Sequence, residues 1–345
     1  MAPRTFILAS RASQLAQIQT NSVTAELEAK FPPEAETSPR FATSFMTTAG
    51  DRNQSQALYL LGGKALWTKD LEVALKEGKV DMLVHSLKDV PTTLPDGCML
   101  GAILEREDPV DSLVVKAGKD WKSLEELPAG SVVGTSSVRR VAQLRRNFPQ
   151  FKFLDVRGNL NTRLAKLDAP DGPYAALILA RSGMVRNGMG DRLTADIPPP
   201  TLFHAVSQGA LAIEIRSDDD AALELCKILT HRKTQWSCVA ERACLRVLEG
   251  GCSVPVGVST HLDLDGGELE LTGCVTSLDG AKHVQHTLKE KVGSVEDAEA
   301  VGVRLAKILI ETGAGAILSD INKDREQRIV DAEAAEAGKE TVVEA

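Results

Sequence analysis

The stretch from residue 81 to residue 91 constrains the fold more than any other part of this 345-residue chain. It begins with the apolar run Met82-Leu83-Val84, the pattern of a buried strand in an α/β sheet. It ends in a polar turn that stops at Pro91, whose missing N–H prevents further sheet pairing. Ligands of open α/β sheets bind at the carboxyl ends of strands, so Ser86, Lys88 and Asp89 are candidate site residues. Taken alone, this stretch is also compatible with an ordinary turn of solvated charges.

Similar strand–turn–helix units recur along the chain. A strand from Thr5 to Ser10 is followed by Arg11 and by a helix that Ser13 can cap, which predicts either a plain helix start or an anion site. A second strand ends at Gly134, and the polar residues after it are Thr135, Ser136, Ser137, Arg139 and Arg140. Cations at a helix N-terminus oppose the macrodipole, which favours an anionic ligand at this turn. A third unit contains Arg157, Asn159 and Arg163.

The arginine content of the middle of the chain is unusual. Residues 139–192 contain nine arginines, two lysines and four acidic residues, although the whole chain has a net charge of −8. Arginine is suited to forked, two-bond recognition of carboxylate or phosphate. The overall negative charge and an aromatic content of 4% argue against a nucleic-acid surface. The sequence therefore predicts local anion binding and no nucleic-acid partner, and DNA binding through residues 139–192 is the less favoured alternative.

The length of the chain predicts two or three domains. Charge and proline at 105–109, and three prolines at 198–200, suggest two crossings between domains, near 105–112 and 203–210, that form a hinge. The predicted divisions are 1–108 with 210–230 for the first domain, 109–209 for the second, 231–321 for a third α+β domain, and 322–345 for a disordered tail. The polar loop that reaches Lys64 is predicted to be a mobile lid or a plain connector.

The cysteines and the opening residues bear on the compartment. The six cysteines form no C-x-x-C pair and no zinc-type spacing with histidine. The opening residues lack the apolar core of a signal peptide, and no segment is as long and apolar as a membrane span. We therefore expect a cytoplasmic protein with reduced thiols, without a metal site or membrane contact, and we expect it to be a monomer.

Eight motifs resemble the porphobilinogen deaminase (hydroxymethylbilane synthase) family, and they occur in the family's order up to about residue 320. They are Ala9-Ser10-Arg11-Ala12-Ser13-Gln14-Leu15-Ala16, Gly62-Gly63-Lys64, Val84-His85-Ser86-Leu87-Lys88-Asp89-Val90-Pro91, Glu105-Arg106-Glu107-Asp108-Pro109, Gly134-Thr135-Ser136-Ser137-Val138-Arg139-Arg140, Arg157-Gly158-Asn159 with Thr162-Arg163-Leu164, Gln208-Gly209-Ala210-Leu211, and Leu248-Glu249-Gly250-Gly251-Cys252-Ser253-Val254-Pro255. The resemblance implies two periplasmic-binding-protein-like α/β domains around a hinged cleft, with a smaller α+β C-terminal domain.

The resemblance also implies an activity and a cofactor. The family joins four porphobilinogens head to tail, releases ammonia at each step and hydrolyses off hydroxymethylbilane, a precursor of heme. A dipyrromethane cofactor serves as the primer and is attached by a thioether to one cysteine, which the motif places at Cys252. Without the resemblance, Cys252 reads as a buried structural thiol. A glycine-framed loop would let this thiol reach the cleft, and a thiolate is a soft nucleophile for an electrophilic methylene.

By the same resemblance, Asp89 is the catalytic carboxylate. Cofactor or substrate contacts are implied for Arg11, Ser13, Gln19, Lys64, Ser86, Lys88, Thr135, Ser136, Ser137, Arg139, Arg140, Arg157, Asn159, Arg163 and Arg186. Each porphobilinogen carries two carboxylates, so the arginines have anionic partners in the ligand. The chain departs from the family pattern at Ser207, where glycine is common, and at Trp67, where phenylalanine is common. A non-catalytic anion-binding module of the periplasmic type is the alternative, and it would need neither Asp89 nor Cys252.

Overall fold

The computed structural model describes residues 4–32, 38–48, 65–248, 254–324 and 327. In chain order, its strands are Thr5–Arg11 (β1), Arg40–Met46 (β2), Met82–Ser86 (β3), Cys98–Ile103 (β4), Asp111–Val115 (β5), Val132–Gly134 (β6), Lys152–Leu154 (β7), Ala176–Ala180 (β8), Ala195–Ile197 (β9), Leu211–Arg216 (β10), Val256–Asp263 (β11), Glu268–Thr276 (β12) and His283–Lys291 (β13). Its α-helices are Gln14–Lys30 (α1), Ala65–Lys76 (α2), Val138–Asn147 (α3), Leu160–Asp168 (α4), Arg181–Arg186 (α5), Asp220–Leu229 (α6), Arg232–Val247 (α7) and Val295–Leu309 (α8).

The first sheet has the order β2-β1-β3-β10-β4. Strand β1 is parallel to β2 and β3, whereas β10 is antiparallel to β3 and β4. Leu8, Met82 and Ile213 are fully buried and pack with Val23 of α1 and Leu225 of α6. Because β1 and β3 are parallel neighbours, the turns that follow them lie at the same edge of the sheet.

The second sheet repeats this plan with the order β7-β6-β8-β5-β9. Strand β6 is parallel to β7 and β8, and β5 is antiparallel to β8 and β9. In each sheet, three parallel strands are therefore extended by an antiparallel pair. The two sheets form the pair of α/β domains that the sequence predicts, so the α/β class of this part of the chain is confirmed.

The third sheet is an antiparallel meander with the order β11-β12-β13. Helices α7 and α8 pack against it, and the shared core contains Ala240, Leu245, Leu271, Leu305 and Leu309. This arrangement is the predicted smaller α+β domain. No helix within the described ranges is long and apolar enough to span a membrane.

Two chain segments cross between the first two sheets and lie side by side. The amide of Leu104 donates to the carbonyl of Leu211, and the amide of Glu107 donates to the carbonyl of Gly209, at N···O distances of 3.0 and 3.3 Å. The sequence predicts a return strand within 205–214, and the strand that the structure shows there begins only at Leu211. Ser207 instead has φ +63° and Gly209 has φ +90°, so this segment turns before it enters the sheet.

The predicted boundaries of the domains and of the tail need two comments. Strand β10 joins the first sheet and β5 to β9 form the second, while the boundary residues themselves stay a prediction. Residues 322–324 are helical, contrary to the predicted disorder, and the rest of the tail lies outside the described residues except for 327. The predicted lid around Lys64 also lies outside them.

A buried ion pair joins the crossing segments to the third domain. The Arg106 guanidinium donates to both oxygens of Glu241 on α7, at 2.7 and 3.0 Å. The same carboxylate accepts hydrogen bonds from the Ser207 amide at 2.6 Å and from the Thr260 hydroxyl at 2.8 Å. Burial alone would raise the pKa of Glu241, but Arg106 and these hydrogen bonds hold it below its usual value.

We expect Arg106→Met to destabilise the protein strongly, because it leaves the Glu241 carboxylate buried without its cation. Breaking a buried pair in this way costs about 3–5 kcal/mol. The free energy of unfolding, measured by denaturant titration, checks this. Lys227→Met is the matched control, since the Lys227–Glu224 pair is exposed and such pairs contribute little. Equal losses in the two variants would contradict the prediction.

Candidate active site

The turns after β1 and β3 enclose one cavity. It measures about 60 Å³ and lies at the carboxyl edge of the first sheet. Its lining residues are Arg11, Ser13, Leu15, Ala16, Gln19, Trp67, Thr68, Val84, His85, Ser86 and Asp89. Five of the predicted site residues, Arg11, Ser13, Gln19, Ser86 and Asp89, therefore share this cavity although they come from two distant segments of the chain.

Asp89 ends the short 3₁₀ turn Leu87–Asp89 that follows β3 directly. Leu87 is fully buried, and its amide donates to the Ala210 carbonyl at 2.9 Å, which fixes the start of the turn. The turn presents the Asp89 side chain to the cavity. Within the described part of the chain, no hydrogen bond or ion pair engages the Asp89 carboxylate, so it is open to a ligand.

Polar groups on α1 face the same cavity. The Gln19 side-chain amide and the Ser86 hydroxyl are hydrogen-bonded, with distances of 3.1 and 3.2 Å to the two amide atoms. Ser13 occupies the N-cap position of α1, as predicted, but its hydroxyl makes no capping hydrogen bond. The Ser13 hydroxyl therefore remains a donor or acceptor at the cavity wall.

Trp67 covers the Arg11 guanidinium. The guanidinium carbon lies 4.1 Å from the centroid of the indole ring, within the range of a cation–π contact. Tryptophan has the strongest such attraction among the aromatic residues, so this departure from the family pattern keeps an aromatic face at the cavity. The sequence signals the substitution at position 67 but not this contact.

Lys88 points into a different network from Asp89. Its ammonium donates to the Gln208 side-chain oxygen at 3.2 Å, and the Gln208 amide donates to Asp111 at 2.9 Å. The network therefore runs from the first domain through the hinge to the second. Burial lowers the pKa of Lys88 to about 8, although the neighbouring Asp89 opposes that decrease.

Arg139 and Arg140 are buried and share one carboxylate. Each guanidinium bonds to Asp111, at 2.7 and 2.6 Å, and their side chains are 6% and 8% exposed. Their remaining bonds include the carbonyls of Phe203 and Ile178. Burial alone would raise the pKa of Asp111, but the two cations hold it far below its ordinary range. Asp111 thus supplies the negative charge that sequence analysis assigned to a ligand, and ligand contact by these arginines stays a prediction.

The predicted hydroxyl turn bonds mainly to its own surroundings. Ser137 is the N-cap of α3 and accepts from the Arg140 amide. The Thr135 hydroxyl accepts from the Ser137 amide at 3.3 Å, and the Ser136 hydroxyl donates to the Val156 carbonyl at 2.7 Å. These bonds hold the turn in shape and join it to the next strand–turn unit.

The remaining predicted cations lie around the second domain. Arg163 is half-buried and donates to the Gly158 carbonyl at 2.8 Å, while Arg186 donates to the Gly209 carbonyl at 2.7 Å. Burial, with help from the nearby Arg140 charge, lowers the pKa of Arg163 to about 10. Arg157 pairs with Asp155 at 2.8 Å.

Three predicted positions add little to this geometry. Asn159 occupies the N-cap position of α4 and is exposed, without a capping bond from its side chain. Lys64 and Cys252 lie outside the described residues. Sequence reasoning missed Asp111, named Trp67 only as a departure from the family pattern and quoted Gln208 only as part of a motif.

The comparisons with known proteins agree on one family. The model "Porphobilinogen deaminase, dipyromethane cofactor binding domain" matches residues 6–224, and "Porphobilinogen deaminase, C-terminal domain" matches residues 236–311. A porphobilinogen deaminase of Nostoc sp. is 50% identical over 320 residues, covering 93% of this chain and 95% of the relative. The enzyme of that name from Synechococcus elongatus is 51% identical over 319 residues, covering 92% and 96%.

A relative from a third organism gives a similar match. The porphobilinogen deaminase of Debaryomyces hansenii is 46% identical over 323 residues, covering 92% of this chain and 88% of the relative. Both family models together span nearly all of the three sheets. The chain belongs to the porphobilinogen deaminase family.

Proposed function

We propose that this protein condenses four porphobilinogen molecules head to tail, releasing ammonia, and that Asp89 is the carboxylate that promotes each condensation. Family membership supplies the reaction. The observation that carries the assignment of Asp89 is its open carboxylate at the wall of a cavity that also holds Arg11 and Ser86. A carboxylate engaged in a salt bridge would be less able to respond to charge that develops on a substrate.

The described residues suit a dipyrromethane cofactor and its carboxylate arms. No carboxylate among the described residues lies within ion-pair distance of Lys88, Arg163 or Arg186. Burial lowers the pKa of all three, so a ligand carboxylate would relieve a cost that the protein alone does not offset. We assign the thioether attachment to Cys252. When bound, the dipyrromethane supplies the pyrrole carbon at which porphobilinogen units add.

Asp89 acts on the positive charge of the substrate. Loss of the amine as ammonia leaves a methylene-pyrrolenine cation derived from porphobilinogen. A fixed carboxylate beside the pyrrole N–H stabilises this cation as it develops. The same carboxylate can accept or return a proton during deamination and final aromatisation.

The predicted cations have a separate role from Asp89, which is to bind the acetate and propionate groups. We assign this role to Lys88, Arg163 and Arg186 first, because they lack a carboxylate partner in the described chain. Arg11 is stacked on Trp67, and its contact with a ligand carboxylate stays a prediction of the resemblance. Contacts by Ser13, Gln19, Lys64, Ser86, Thr135, Ser136, Ser137, Arg139, Arg140, Arg157 and Asn159 remain predictions of the resemblance.

Three further expectations are part of this proposal. They are a cytoplasmic location, a monomeric state and the absence of a nucleic-acid ligand. The net charge of −8 supports the last of these, because the whole molecule repels a polyanion. A titration with duplex DNA at low salt should show no binding.

We expect the intact purified protein to weigh more than its polypeptide by two pyrrole units, and Cys252→Ser to have the polypeptide mass alone. Intact mass spectrometry of both proteins checks this. Cys274→Ser is the control, because Cys274 is fully buried in the third sheet, and it should keep the added mass. An unmodified wild-type mass with full activity would refute the proposed attachment.

We expect Asp89→Asn to lower kcat at least about 100-fold, because it keeps the shape of the side chain but removes the charge. Steady-state kinetics with porphobilinogen measures the change. Asp96→Asn, an exposed position in the following loop, is the matched control and should leave kcat unchanged. Near-normal turnover by Asp89→Asn would remove the assigned role.

We expect KM for porphobilinogen to rise as the pH increases through 8. Lys88 has a lowered pKa of about 8, so it is charged below that pH and neutral above it. Loss of a charge-assisted bond to a carboxylate should raise KM about 10-fold between pH 7 and pH 9. Lys88→Arg stays charged over this range, so its KM should not show this rise between pH 7 and pH 9. Identical pH profiles would contradict the role of Lys88.

A further inference from the structure

Helix α7 of the third domain packs directly against the segment that carries Asp89. Leu87 and Val90, on either side of Asp89, share a buried cluster with Ala210 and with Cys238 of α7. Leu87, Val90 and Cys238 are each fully buried. The residues from 87 to 91, here called the 87–91 turn, therefore rest on the surface of α7 rather than on their own domain alone.

Arg242 lies one helical turn beyond Cys238, on the same face of α7. Its guanidinium donates to the Val90 carbonyl at 3.1 Å and to the Pro91 carbonyl at 2.5 Å. These carbonyls belong to the two residues that directly follow Asp89. The residue is only 6% exposed, so both bonds are shielded from water.

The surroundings of Arg242 do not explain its burial as an ion pair. No salt bridge joins Arg242 to any acidic side chain in the described ranges. Burial lowers the pKa of its guanidinium to about 10. Burying a charge without a counterion is costly unless its donors are satisfied. The two carbonyls of the 87–91 turn are thus the partners that the structure gives this cation.

The two bonds fix the downstream end of the turn. At its upstream end, the Leu87 amide donates a hydrogen bond to the Ala210 carbonyl at 2.9 Å. Within the turn, the Val90 amide donates to the Leu87 carbonyl at 3.2 Å. Pro91 has no N–H with which to continue a sheet ladder. A planar guanidinium that binds two successive carbonyls sets the orientation of both peptide groups, which a single point charge cannot do.

We propose that Arg242 is a positioning residue for Asp89: it holds the peptide groups that follow Asp89 so that the carboxylate faces the cavity. This inference rests on the proposed function, since it assumes that Asp89 promotes the condensation. Arg242 itself lines no part of the cavity. Arg242 therefore affects the chemical step rather than substrate binding. A small displacement of a reacting group lowers the rate of that step.

The test compares Arg242→Lys with Arg246→Lys. The first keeps the charge but loses the two-carbonyl geometry, and we expect kcat to fall about 10- to 100-fold with KM within about twofold of wild type. The control changes an arginine one turn further along α7, where Arg246 forms an exposed pair with Glu299, and should leave both constants unchanged. Thermal melting of each variant reports its stability separately from its rate.

A double-mutant cycle separates positioning from general structural support. Asp89→Glu displaces the carboxylate by one methylene. We expect Arg242→Lys to lower kcat by a clearly smaller factor in this background than in wild type. Residues that act through one another are non-additive in this way, whereas independent residues add. The glutamine of Arg242→Gln can still donate to one carbonyl. The kcat of this variant should lie between those of Arg242→Lys and wild type, or equal that of Arg242→Lys.

Several outcomes would overturn the inference. These are a kcat of Arg242→Lys within twofold of wild type, a rise of KM alone, full additivity with Asp89→Glu, or failure of both Arg242 variants to fold. Each leaves the proposed function intact, provided that wild type carries the added mass and makes hydroxymethylbilane. Wild type that makes no hydroxymethylbilane would instead refute the proposed function.

Discussion

One carboxylate, that of Glu241, joins three parts of the molecule. Its oxygens accept from Arg106 on one crossing segment, from the Ser207 amide on the other, and from Thr260 in the third sheet. Both strands of the hinge are thereby tied to α7. A buried ionic network contributes little net stability compared with well-packed apolar residues, but its bonds form only within a narrow range of distances and angles. The relative placement of the domains is therefore set at this point.

Two neighbouring residues of helix α7 contact two separate parts of the molecule. Glu241 reaches the hinge, and the adjacent Arg242 reaches the carbonyls that follow Asp89. The described helix ends at Val247, five residues before Cys252 in the sequence. A single helix thus connects the hinge with the turn that presents the carboxylate, and it ends close in sequence to the proposed attachment residue. Sites built on helices and strands are held more closely than sites built on loops alone.

The sequence predicted those features that depend on neighbouring residues. The strand ahead of Asp89, the cap position of Ser13 and the helix start after Gly134 are local patterns of polarity and period, and the structure reproduces them. The partners of buried charges could not be predicted in this way. Asp111 lies about thirty residues from Arg139 and Arg140, and Arg242 lies 152 residues from Val90. Such pairs are set by the packing of whole domains, and no periodicity records them. The position of Arg139 and Arg140 at a helix N-terminus consequently predicted a ligand charge where Asp111 provides one.

In the crossing segment from 207 to 209, two residues with similar backbone conformations differ in the side chains that they can accept. Ser207 and Gly209 both have positive φ, but a methyl group at 209 would lie 2.3 Å from the Glu107 carbonyl oxygen. Serine at 207 shows that a small side chain can occupy that conformation at modest energetic cost. At 209 the neighbouring backbone excludes even alanine. Position 207 can therefore accept either glycine or serine, whereas position 209 accepts only glycine for as long as the two crossing segments stay paired.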